Sequence, residues 1–112
     1  MVSPDEACTN YSDLLRNYEA AHDFLWNEFG IKPRTAWQLD PFGHSAAHAQ
    51  LMQELGMEQI VFSRMNLQEA EKRRKEKQMQ FLWNPSFSGD DKLDGLFTHV
   101  LFDHYTPPSV IP

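Results

Sequence analysis

Thr35-Ala36-Trp37-Gln38-Leu39-Asp40-Pro41-Phe42-Gly43-His44-Ser45 is the stretch on which the reading of this chain turns. Thr35 to Leu39 is a short bulky run that suits a strand of a covered parallel sheet. Pro41 cannot donate to a strand ladder and disfavours helix at Asp40. Gly43 permits a sharp turn. Ser45 can cap a following helix. Asp40 therefore stands where a strand ends and a loop begins, the place where α/β folds collect catalytic groups. By local pattern alone, Asp40-Pro41 also reads as a plain turn initiator.

On the amino side, Ser3-Pro4-Asp5-Glu6 reads as a helix start with a capping box. Leu14, Leu15, Tyr18, Ala21, Leu25 and Phe29 then recur at helical spacing until Gly30. On the carboxyl side, a helix is expected over Ser45 to Leu55 and a strand over Gln59 to Ser63. A charged helix is expected from Leu67 to about Lys77, and a strand over Gln78 to Trp83. Asn84 to Gly95 is polar loop. Leu96 to Phe102 is a fourth strand or a segment packed beneath that loop. The alternation predicts α/β architecture, a partial parallel sheet with covering helices. Three or four strands cannot close a barrel, so raw sheet edges and one uncovered face are expected.

With 112 residues the chain is one domain or part of one. A formal charge of -6 argues against a general nucleic-acid binder. No apolar run approaches the ~20 residues of a membrane helix, and no secretory signal is visible. The single cysteine, Cys8, rules out an internal disulfide and reads as a small buried helix residue. Glu69/Arg73 and Glu71/Lys75 have the i,i+4 spacing of a solvated helix. Asn10-Tyr11-Ser12 fits a glycosylation sequon but falls inside the expected first helix. His22 and His99 read as surface or core histidines.

Arg34 to Ser45 resembles the nucleophile segment of glycoside hydrolase family 38, the zinc-dependent retaining α-mannosidases. Ser3-Pro4-Asp5-Glu6-Ala7, Phe62-Ser63-Arg64-Met65 and Tyr105-Thr106-Pro107-Pro108 resemble other segments of that family in the same order. The resemblance implies that residues 1–112 are a fragment of the N-terminal catalytic domain, an irregular (β/α) barrel. It implies that Asp40 is both nucleophile and Zn2+ ligand. Retaining glycosidases use one carboxylate as nucleophile and a second as acid, then base, and an oxygen donor on zinc is ordinary. It further implies that Phe42 lines the sugar site and that Tyr105 contacts substrate. Arg64 would orient the ionised Asp40 with its planar fork of donors. For Phe42 a core aromatic, for Arg64 a surface ion pair and for Tyr105 a packed loop residue are the alternatives. His44 is expected to support the loop by hydrogen bonding.

The implied partner is a mannose-containing oligosaccharide, together with the rest of a parent enzyme in the lysosome or the Golgi and secretory lumen. The family's His-x-Asp zinc pair would precede Ser3, and its acid/base carboxylate would follow Pro112. Two functions therefore compete: a fragment of an α-mannosidase, and a non-catalytic α/β binding or assembly module.

Overall fold

The computed structural model describes residues 4–85, 95–104 and 106. Helix α1 spans Tyr11–Phe29, strand β1 Thr35–Gln38, helix α2 Ala46–Glu54 and strand β2 Gln59–Phe62. Helix α3 spans Leu67–Glu76, followed by β3 Gln80–Trp83 and β4 Leu96–Val100.

The first helix starts later than the sequence implies. Residues 6–8 form a turn, and the helix is capped by Asn10, whose side chain accepts from Asp13 N. Asn10 wins because it offers a local acceptor just before the amphipathic run. The sequon asparagine is thus the exposed cap residue, not a helix-interior one. Ser3 lies outside the described residues. Cys8 is exposed on the turn, not buried on a helix, and its Sγ lies 3.5 Å from Asp5 Oδ2. The helix ends at Gly30, whose φ of 66° is the left-handed cap that glycine adopts without strain. Leu14 and Tyr18 are buried, while Phe29 at the far end of the expected stripe is exposed.

The sheet order is β1-β2-β4-β3. β1 runs parallel to β2 with Gln38 opposite Phe62, and β2 runs parallel to β4 with Phe62 opposite Val100. The expected parallel set is β1, β2 and β4, and β3 joins it antiparallel to β4 as an edge strand, so the sheet is mixed. Parallel strands need a long crossover. Here the crossover from β2 to β4 contains both α3 and β3. Lys77 closes α3 with a φ of 57°, and the chain then runs back along the edge before returning as β4. The segment expected to be either strand or packed loop filler is thus an interior strand.

Burial alternates along the strands, as it must when only one sheet face is covered. Ala36, Ile60 and Thr98 form one buried row, and Gln38, Phe62 and Val100 the next. Leu14, Tyr18, Ala49, Leu51 and Met52 from α1 and α2 pack with this face into one core. Trp37, Leu82 and Phe97 lie exposed on the other strand positions. The strand over Thr35 to Gln38 is therefore covered on one face within this chain, where its bulk suits cover on both.

Exposed apolar side chains beside the open edges of β1 and β3 favour association. The isolated chain is expected to elute as species heavier than its 13.1 kDa monomer in size-exclusion chromatography with light scattering. A sharp monomer peak with cooperative unfolding would show the segment to be self-sufficient.

Candidate active site

Parallel pairing fixes where the candidate residues stand. Because Gln38 faces Phe62, the residues two positions later, Asp40 and Arg64, emerge side by side at the carboxyl ends of β1 and β2. The carboxyl end of β4 joins the same rim, where Leu101 N donates to Phe62 O at 2.9 Å. Arg64 Nε donates to Asp40 Oδ1. The guanidinium carbon lies 4.5 Å from the centroid of the Phe42 ring, within cation–π range. Asp40, Phe42 and Arg64 are thus brought together. Tyr105 lies outside the described residues.

The Asp40 and Arg64 side chains are 54% and 38% exposed, and Phe42 is 68% exposed. An ion pair this open contributes roughly 0–1 kcal/mol to stability. The pair therefore does little to hold the fold, and it presents an oriented carboxylate to whatever meets the rim. A groove of about 810 Å³ lies at the amino ends of β1 and β2, lined by Trp26, Ile31, Arg34 and Leu55 among others. None of the three rim residues lines it, so the chemistry-bearing groups and this groove are at opposite ends of the sheet.

The loop from Asp40 to Ser45 is tied down at several points. Pro41 is fully buried. His44 Nε2 lies 2.7 Å from Arg64 O, and its ring lies over Phe62 with centroids 4.1 Å apart. Phe42 N donates to Asp5 Oδ1 at 3.4 Å, and Ser45 N donates to Glu6 Oε2 at 2.6 Å. The Ala7 N–H holds the Asp5 carboxyl below its ordinary value; partial desolvation opposes this, and the Phe42 N–H adds to it. Ser45 caps α2, its Oγ accepting from Ala47 N at 3.1 Å.

Beneath this loop lies a polar cluster that the sequence reading missed. Glu6 Oε1 meets His48 Nδ1 at 2.5 Å, with both side chains nearly out of solvent. With Nδ1–H given to Glu6, Nε2 accepts from the Tyr18 hydroxyl at 2.9 Å. Burial, and then the Glu6 carboxylate, push the Tyr18 hydroxyl well above its usual pKa, so it acts as a neutral donor. Gln38 Nε2 reaches the Tyr18 oxygen at 3.4 Å from the end of β1. The sequence signal was the absence of Glu or Gln at position 48, three residues after the Ser45 cap, where a local capping box would place one.

Among the described residues no three His, Cys, Asp or Glu side chains converge to hold a metal ion. Asp40 offers one hard oxygen donor of the kind zinc accepts. No helix among the described residues is long and apolar enough to cross a membrane.

Residues 1–111 match the family described as Glycosyl hydrolases family 38 N-terminal domain. The chain belongs to glycosyl hydrolase family 38. It is 40% identical over 106 residues to a probable alpha-mannosidase of Arabidopsis thaliana, covering 94% of this chain and 10% of that protein. It is 39% identical to a lysosomal alpha-mannosidase of Dictyostelium discoideum, over 93% of this chain and 10% of the relative. A lysosomal alpha-mannosidase of Cavia porcellus is 37% identical over 96% of this chain and 11% of its own length. The chain thus spans about a tenth of these family 38 relatives. The architecture described above is compatible with the family's N-terminal domain.

A catalytic zinc takes about three protein ligands. The purified 112-residue chain, dialysed against a weak chelator, is therefore expected to retain far less than stoichiometric zinc by elemental analysis. One tightly held zinc per chain would reveal donors beyond Asp40.

Proposed function

We propose that the parent protein of this chain is a retaining α-mannosidase and that Asp40 is its nucleophile. The observation that supports this best is the carboxylate at the end of β1, gripped by Arg64 and flanked by Phe42, in a chain of family 38. The substrate class we infer is terminal α-linked mannose of N-glycans or oligomannose. The compartment we infer is the lysosome or the secretory-pathway lumen; relatives named lysosomal support it.

In this reading an Asp40 oxygen attacks the anomeric carbon and the glycosidic oxygen departs, protonated by a second carboxylic acid from outside this chain. Water then cleaves the glycosyl ester with that second residue acting as base. Arg64 fixes the direction of the Asp40 carboxylate before attack, through a planar donor group whose rotation the Phe42 ring restricts. Phe42 offers an exposed apolar ring against which a pyranose C–H face can lie. Zinc, when bound by the complete enzyme, would supply a Lewis acid that holds sugar hydroxyls, with Asp40 as one donor. Tyr105 stays a proposed substrate contact on the family resemblance alone.

The second reading is a non-catalytic α/β binding or assembly module. Binding of mannosides by the parent without turnover would favour it.

In the parent enzyme, Asp40→Asn is expected to lower turnover of an aryl α-mannoside by orders of magnitude, because the covalent route is lost. Near-normal turnover would remove Asp40 from the role. Arg64→Lys is expected to lower turnover while the melting temperature stays within a few degrees, since an exposed pair contributes only about 0–1 kcal/mol. A large fall in melting temperature with normal turnover would instead mark a structural ion pair.

A further inference from the structure

Glu6 occupies an unusual place for a carboxylate. Its side chain is 6% exposed, and it comes from the turn before α1, not from the helix it serves. One oxygen takes the backbone N–H of Ser45, and the other meets His48. In a capping box the third helical residue is a Glu or Gln that reaches back to the cap residue's own N–H. In α2 the cap is Ser45 and the third helical residue is His48. The box is therefore split: Glu6 supplies the carboxylate that position 48 lacks, and His48 holds that carboxylate in place.

Asp5, the neighbouring residue, bonds Phe42 N inside the same loop. Asp5 and Glu6 thus grip the Asp40 loop at Phe42 and at its exit, Ser45. Tyr18 braces His48 from α1, its hydroxyl 2.9 Å from His48 Nε2, and Gln38 braces it from the end of β1, its Nε2 3.0 Å from the same nitrogen. A buried carboxylate–imidazole pair is a poor way to gain stability, since apolar packing of the same volume serves as well or better. What such a pair provides here is fixed geometry at the loop carrying the candidate nucleophile.

We propose that Glu6 is a positioning residue that sets the attack geometry of Asp40 by completing, with His48, a split capping box at the exit of the Asp40 loop. This rests on the reading of Asp40 as nucleophile. Displacing a reacting group by about 1 Å can lower a rate roughly a hundredfold.

The test uses the full-length parent with an aryl α-mannoside. Glu6→Ala is expected to lower kcat about 10- to 100-fold while KM stays close to wild type. The double variant Glu6→Ala/His48→Glu rebuilds the box locally and is expected to recover much of that kcat. A folded Glu6→Ala enzyme with normal kcat would overturn the proposal. A double variant that regains the wild-type melting temperature but not kcat would overturn it too, leaving Glu6 a structural residue. Should Glu6→Ala fail to fold, the double variant decides alone: folded with recovered kcat supports the proposal, and folded without it does not. An inactive wild-type parent would sink the α-mannosidase reading instead. In that case amide exchange still decides the clamp: Ser45 N–H protected in the wild type and released in Glu6→Ala supports it, and unchanged exchange overturns it.

Discussion

The pairing of β1 on β2, with Gln38 level with Phe62, is the constraint from which the rest of the candidate site follows. Two strands running the same way deliver their carboxyl ends to one rim. A one-residue slip would turn every side chain to the other face. It would move Gln38 out of the covered face, where it meets Tyr18, and would displace Asp40 from Arg64. The register is held by the buried rows Ala36, Ile60, Thr98 and Gln38, Phe62, Val100. Packing on one face thus determines which residues meet above it.

Polar atoms in that core carry a second kind of information. Tyr18, Gln38, His48 and Glu6 come from α1, β1, α2 and the turn before α1, and their bonds interlock. Apolar contacts tolerate small shifts, whereas a hydrogen bond weakens steeply with angle. The cluster therefore defines the entry angle of α2, and with it the end of the Asp40 loop. The rim above is different in character: Asp40, Phe42 and Arg64 are exposed and oriented, and contribute little to holding the fold. A rigid polar base under an open charged rim is the arrangement expected of a site that must keep its geometry while meeting a ligand.

The open sheet face fits a chain that spans about a tenth of its relatives. Trp37, Leu82 and Phe97 are exposed here. They stand beside Thr35, Gln59, Gln80 and His99, so the uncovered face is mixed, with large apolar side chains among polar ones.

Much was legible in the sequence because it depends on neighbours along the chain. Gly30 and Pro41 punctuate the elements, Ser45 caps α2, and the alternation of elements gives an α/β sheet. Asp40 at a strand end followed from Pro41 and Gly43 beside it. The motif from Arg34 to Ser45, with its companions, carried the family. What failed depended on partners far away in sequence. Glu6 read as the residue completing a capping box with Ser3 on its own helix, because local rules see only residues three or four apart; its partners are Ser45 and His48. The antiparallel course of β3 was likewise decided by where β4 inserts between β2 and β3, whereas the late start of α1 is a local outcome, the Asn10 cap, that leaves Cys8 on an exposed turn. Local pattern fixes which elements can form. Only packing decides which buried carboxylate meets which backbone N–H, because that choice is made by distance in space.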